Sequence, residues 1–94
     1  MTRAKRRDAL QIIRQILDLQ NSSRTDIRLS VGLNSKQVSR YLRHLVACGV
    51  LHEQPGERLG RYTYVMTPKG ARLAQLLEEL ANTPGLEMLF DGPP

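Results

Sequence analysis

The chain has 94 residues, a length for one domain that buries only about 60–65% of its unfolded surface, so a second subunit would help its core. Apolar residues are 40% and charged residues 24%, ordinary for a globular domain, and 14 Lys plus Arg against 9 Asp plus Glu give a net charge of +5. A single cysteine excludes an internal disulfide and a multi-cysteine zinc site and points to an intracellular, cytoplasmic setting, and no apolar run reaches the about 18 residues of a membrane span.

The charge is unevenly placed. Residues 1–72 carry all 14 bases and five acids, a net +9, whereas residues 73–94 carry four acids and no base, a net −4. A basic body with an acidic end implies a polyanion partner. The basic start has charges between its apolar positions and no cleavage site, so a signal peptide is not expected. Arg3, Lys5, Arg6 and Arg7 crowd a helix N-terminus, where each exposed cation opposes the macrodipole by about 0.3–1 kcal/mol. Either the helix starts near Asp8 behind a basic arm over residues 1–8, or the cost is accepted for phosphate contact.

Leu10, Ile13, Ile16, Leu17 and Gln20 have the spacing of an amphipathic helix, and Ile12 and Leu19 widen its apolar face. Ile12, Ile16 and Leu19 share one strip. Leu10, Ile13 and Leu17 make a neighbouring strip that a small core can already occupy. The wide face serves either a broad core or a subunit contact. A second helix is expected over Arg24–Val31, with Ser23 as N-cap and Asp26 at N3, followed by Gly32 in a turn. Asn34 with Gln37 three places later starts a third helix, which buries Val38, Tyr41, Leu42, Leu45 and Val46 and stops at Gly49.

Val50–Gln54 and Arg61–Met66 read as strands around the turn-rich loop 55–60. Thr67-Pro68 starts a last helix, with Leu73, Leu76, Leu77 and Leu80 on one side, ending near Asn82. The fold class is therefore mostly α with a small β-hairpin (α+β), in the order α-α-α-β-β-α. The domain spans residues 9–82 and a tail spans 83–94.

Two helices joined by a Gly-containing turn, the second capped and basic, followed by a hairpin, form a helix-turn-helix with a wing. Over Thr25–Leu51 and Met66-Thr-Pro-Lys-Gly70 the chain resembles winged helix-turn-helix regulators, small archaeal ones above all and the MarR and PadR families more loosely. Ile27, Leu33, Gln37-Val38, Tyr41-Leu42, Leu45, Cys48-Gly49-Val50-Leu51 and the Thr-x-Lys-Gly helix start carry the likeness. The resemblance implies a third helix in the major groove of double-stranded DNA, presenting Ser35, Lys36, Ser39, Arg40 and Arg43. It places Arg58 and Arg61 on the wing, against an adjacent groove or backbone. The wing loop is short, and the last helix is shorter than the dimerising helices of several such proteins.

The residues read alone agree in charge. From Ile27 to His52 there is no acid and there are four bases, Arg28, Lys36, Arg40 and Arg43. A surface meant for phosphates should lack carboxylates, whereas a merely solvated face mixes signs. Arg40 has the fork that reads guanine, and Lys36 is a point charge. The expectation is a homodimeric, sequence-specific transcription regulator on the nucleoid, with Ile12, Ile16, Leu19, Leu73, Leu76, Leu77 and Leu80 at the subunit contact. The alternatives are a chromosome-coating protein without sequence preference and a winged-helix module that binds protein.

Other groups are discounted. His44, Cys48 and His52 are four apart, but Gly49 ends the helix before His52 and a fourth ligand is lacking, so Cys48 reads as a small buried hydrophobe. Tyr62 and Tyr64 are expected to turn one strand face to the core. No enzyme constellation appears, and no motif indicates a cofactor, a metal or a small-molecule effector. The tail Leu86–Pro93 matches six of eight positions of a protease-cleavage linker used in fusion proteins; read as native, its Leu86, Leu89 and Phe90 form an apolar patch.

Overall fold

The computed structural model describes residues 9–57 and 60–86. The basic arm over 1–8, Arg58, and the apolar tail residues Leu89 and Phe90 lie outside the described residues. The element order is α1 (Ala9–Asp18), β1 (Ser22–Ser23), α2 (Arg24–Val31), α3 (Ser35–Ala47), β2 (Leu51–Pro55), β3 (Tyr62–Met66) and α4 (Pro68–Ala81).

Each helix start follows its capping chemistry. The Ser23 side chain accepts from the Asp26 amide at 3.1 Å, and Asn34 with Gln37 forms a complete capping box at 2.8 and 3.0 Å. Gly32 ends α2 with φ 79°, a left-handed conformation that costs glycine little. Gly49 ends α3 in the same way with φ 80°, and the Val50 amide reaches back to the Leu45 carbonyl at 2.9 Å.

The sheet has three antiparallel strands in the order β1-β3-β2. The hairpin register pairs Leu51 with Met66, Glu53 with Tyr64 and Pro55 with Tyr62. The sequence reading lacked β1, in which Ser22 pairs with Tyr64 and Ser23 with Thr63. Two serines carry no strand signal, and Ser23 serves at once as strand residue and N-cap. Asn21, with φ 55°, turns the chain from α1 into this strand, a conformation that asparagine tolerates.

Among the described residues, thirteen buried apolar ones from every helix, the hairpin and the segments between them form one core, with Ile16, Leu17, Ile27 and Val38 fully enclosed. Each such side chain contributes about 1.5–3 kcal/mol by leaving water. Here the expected division of α1 is corrected. Ile12 and Ile16, assigned to a subunit contact, lie in the chain's own core, as does Leu77 of α4. The reason is that α1 packs directly on α4 and α2 within one chain, so its broad face is used internally. Leu10, expected inside, is exposed, and Leu19 and Leu73 are half-buried against the core. Leu76 and Leu80 stand out at 51% and 37% exposure.

The Thr-x-Lys-Gly start of α4 acts as a latch on the end of α3. The Thr67 hydroxyl accepts from the Gly70 amide at 3.0 Å and lies within bonding reach of the Gly49 and Val50 carbonyls. Lys69 Nζ donates to the Cys48 carbonyl at 2.8 Å, satisfying a carbonyl at the helix end with a cation, the sign that the macrodipole favours there. Gly70 touches Val50 so closely that a Cβ would sit 2.1 Å from the Val50 carbonyl oxygen. Cys48, expected to be buried, is exposed at the α3 cap, where its amide donates to the His44 carbonyl at 2.9 Å and its carbonyl accepts from Lys69.

Candidate nucleic-acid interface

Burial of Val38, Leu42 and Leu45 fixes which way α3 faces. A helix turns 100° per residue, so Lys36, Arg40 and Arg43 fall together on the opposite side. All three are exposed, and none has a hydrogen-bond or ion-pair partner among the described residues. Ser35 is exposed in the first turn. Ser39 is half-buried and differs from its neighbours, because its hydroxyl already accepts from Arg24 Nη2.

Arg24 did not figure among the sequence-based candidates. It opens α2, and its Nη2 also donates to the Ser35 carbonyl at 3.1 Å. Its sequence position, directly after the Ser23 cap, carried no sign of this tie, which spans eleven to fifteen residues. Arg24, Ser39 and Arg43 line one side of a cleft of about 480 Å³ between α3 and the hairpin, with Glu53 and Tyr64 on the other. The Tyr64 hydroxyl donates to Glu53 Oε2 at 2.6 Å. Burial in the first place, and then the bond to Glu53 and its negative charge, push the Tyr64 phenol up from 10.0 to about 12; the Arg24 cation pulls the other way. The carboxylate that enters this basic region is thus held by a phenol.

The remaining candidates are dispersed. Arg28 is half-buried on α2. Arg61 is exposed just before β3, where its carbonyl accepts from the Gly56 amide at 2.7 Å and closes the hairpin. Its side chain lines a second cleft, of about 380 Å³, with Asn21, Gln54 and Tyr62. Tyr64 is in the core as expected of one strand face, but Tyr62, on the same face two residues nearer the tip, is 49% exposed. No group of three potential metal-ligating side chains occurs among the described residues, and among them no helix is long and apolar enough to cross a membrane.

Three helices with a tight turn before the third, a hairpin behind it and a closing helix define a winged helix-turn-helix. The chain matches the winged helix-turn-helix family model over residues 6–84, and it belongs to that family. Its fold is similar to that of Sso10a-2, a DNA-binding protein from Sulfolobus solfataricus, with 28% identity and a TM-score of 0.70 over 78% of this chain and 77% of that one. It is similar in fold to a MarR family transcription regulator, with 17% identity and a TM-score of 0.68 over 74% of this chain and 48% of that one. It also resembles the PcaV transcriptional regulator from Streptomyces coelicolor, with 16% identity and a TM-score of 0.65 over 76% of this chain and 54% of that one. The matched part of the chain thus corresponds to about half the length of these two regulators. No curated protein matches the chain.

Proposed function

We propose that the chain is a transcription regulator, not an enzyme, that binds double-stranded DNA with sequence preference, α3 lying in the major groove and the hairpin on adjacent backbone. The observation that carries the reading is the outward face of α3: Lys36, Arg40 and Arg43 are exposed together and unpartnered among the described residues. Cations left free on one helix face have their natural partners in phosphates and base edges. Arg40 is the guanine reader and Lys36 a phosphate contact, with Ser35 and Arg43 beside them on α3 and Arg28 contributing from α2. Arg61, with Arg58, belongs to the wing. Sso10a-2 is itself a DNA-binding protein, which supports the reading.

The working form is a homodimer on the chromosome in the cytoplasm. Leu76 and Leu80 are exposed one turn apart on α4, with half-buried Leu73 on the same flank and Leu19 at the end of α1. A small domain benefits from covering such a flank, and two-fold symmetry would set the two α3 helices about 34 Å apart on an inverted repeat.

The test is selection of protein-bound genomic DNA, sequencing, and titration of the enriched site at several salt concentrations. An enriched inverted repeat and a steep salt dependence, about −0.9 in log–log slope per neutralised phosphate, are expected. Retention of DNA without an enriched sequence would turn the reading to a chromosome-coating protein. No retention at low salt would turn it to a protein-binding module. Light scattering should give a dimer for the wild type and a folded monomer for Leu76→Glu; a monomeric wild type would remove the dimer.

A further inference from the structure

A cation at the first residue of a helix meets the positive end of the macrodipole, so Arg24 is badly placed for the stability of α2 itself. Its contacts belong to another helix. Nη2 bonds the Ser35 carbonyl and the Ser39 hydroxyl, both within the first two turns of α3. A guanidinium carries five N–H donors in a rigid planar fork, so three remain after these two bonds. The residue is exposed, and it lines the cleft beside Arg43, whose charge is unpartnered among the described residues. Among the described residues that line the cleft the one carboxylate is Glu53, and it is engaged by the Tyr64 hydroxyl.

Ser39 is altered by the same contact. A hydroxyl that accepts from a charged donor is fixed in position, and Ser39 is half-buried on the flank of α3 that lines the cleft with Arg24 and Arg43. We propose that Arg24 is the positioning residue of the DNA-binding surface: it sets α3 against α2 through Ser35 and Ser39, holds Ser39 out of base reading, and seats one backbone phosphate with its remaining N–H groups. The phosphate seat rests on the DNA-binding reading above, whereas the positioning of α3 is a property of the free protein.

The experiment uses the full chain with Arg24→Ala, Arg24→Lys, Ser39→Ala and the Arg24→Ala/Ser39→Ala double variant, each checked for folding by circular dichroism. Binding to the selected DNA site is titrated against salt. Arg24→Ala should lose about tenfold in affinity, and its log–log slope should become shallower by about 0.9, one phosphate's share. Ser39→Ala should lose two- to threefold, roughly, with the slope unchanged, and the double variant should be no worse than Arg24→Ala, since the two residues act as a unit. Arg24→Lys should keep the slope but lose affinity as Ser39→Ala does, because an ammonium does not reproduce the fork.

Amide exchange at Ser39 and Arg40, measured without DNA, should be faster in Arg24→Ala than in the wild type. Affinity of Arg24→Ala within about twofold of wild type, an unchanged slope, or losses that multiply in the double variant would overturn the proposal. A wild type that binds no DNA at low salt overturns the DNA reading and the phosphate seat with it. Unchanged exchange in Arg24→Ala overturns the positioning of α3 independently of that result.

Discussion

The two ends of α3 are held by different means. Its C-terminal end is locked chiefly by close backbone packing, through the left-handed Gly49, the Val50 amide on the Leu45 carbonyl and Gly70 against Val50, with the Thr67 hydroxyl and Lys69 added as side-chain ties. Its N-terminal end is held by side chains on the surface, the Asn34–Gln37 box and Arg24. Backbone contacts at van der Waals limits are intolerant of change and serve the fold. Surface hydrogen bonds are individually worth about 1 kcal/mol, so they can set the aim of a helix without deciding whether it folds. The exposed cations Lys36, Arg40 and Arg43 lie on the stretch between, carried by an anchor at one end and steered at the other.

The largest effect should come from breaking the anchored end. Gly70→Ala puts a methyl group 2.1 Å from the Val50 carbonyl oxygen, a backbone atom that cannot rotate away, and that oxygen also accepts from the Thr67 amide at 3.1 Å. The α4 start must retreat from Val50, and overpacking of this kind costs about 1–3 kcal/mol. For a domain with so small a core this is a large part of its stability. Urea denaturation should show the midpoint fall steeply. DNA affinity should fall only in proportion to the unfolded fraction, and a fully folded Gly70→Ala would show that the latch is not tight.

Next in size is Arg40→Ala, which touches neither end. It should cost about 1–3 kcal/mol on the preferred DNA site and relax the preference there, with urea stability unchanged. Arg61→Ala, on the hairpin, should lower affinity on all sequences alike. Equal losses for both variants on preferred and random DNA would show that α3 does not read bases.

The difference between the ends of α3 also governs how much the sequence revealed. The helix limits were legible because capping is local: Ser23, Asn34 with Gln37, and Thr67-Pro68 each signal within four residues, and α2 spans the residues that those signals imply. The Thr-x-Lys-Gly start was legible as a pattern, but its cause, the approach of Gly70 to Val50, involves residues twenty apart. The same limit hid β1, whose serines become a strand only because β3 lies beside them, and it hid the Arg24–Ser39 tie. Apolar spacing showed that α1 has a wide face without saying what covers it. Ile12 and Ile16 went to the core and Leu10 to solvent, because α4 and α2 close over one side of α1 within the chain.

A smaller effect is expected at the steered end. Asn34→Ala removes the acceptor of the Gln37 amide, a bond of 2.8 Å, and leaves the Gln37 side chain on the Asn34 amide as half of the box. Loss of an N-cap costs about 1 kcal/mol, and Asn34→Gly should cost only a few tenths. Unlike Gly70→Ala, the Ala variant should stay folded and still weaken DNA binding, because the first turn that frays carries Ser35 and Lys36. An Asn34→Ala protein with wild-type affinity would mean that α3 is aimed from its anchored end alone.

The smallest effect at neutral pH concerns the wall facing α3. Tyr64 donates to Glu53 at 2.6 Å, and burial first, then that bond and charge, raise its phenol from 10.0 to about 12. The folded protein therefore keeps a proton between pH 10 and about 12 that the unfolded chain has released. The stability tied to this proton is fully present below pH 10 and is lost as the pH rises through about 12. Phenolate absorbance should show one tyrosine ionising near pH 12 in the native protein, and Tyr64→Phe should abolish that step. Glu53→Gln keeps an oxygen acceptor and removes the charge, so the step should move down and the alkaline loss of stability should become smaller, with little change at pH 7. If Glu53→Gln leaves the step where it was, burial and a neutral hydrogen bond suffice to hold the Tyr64 proton, and the negative charge of Glu53 has no part in it.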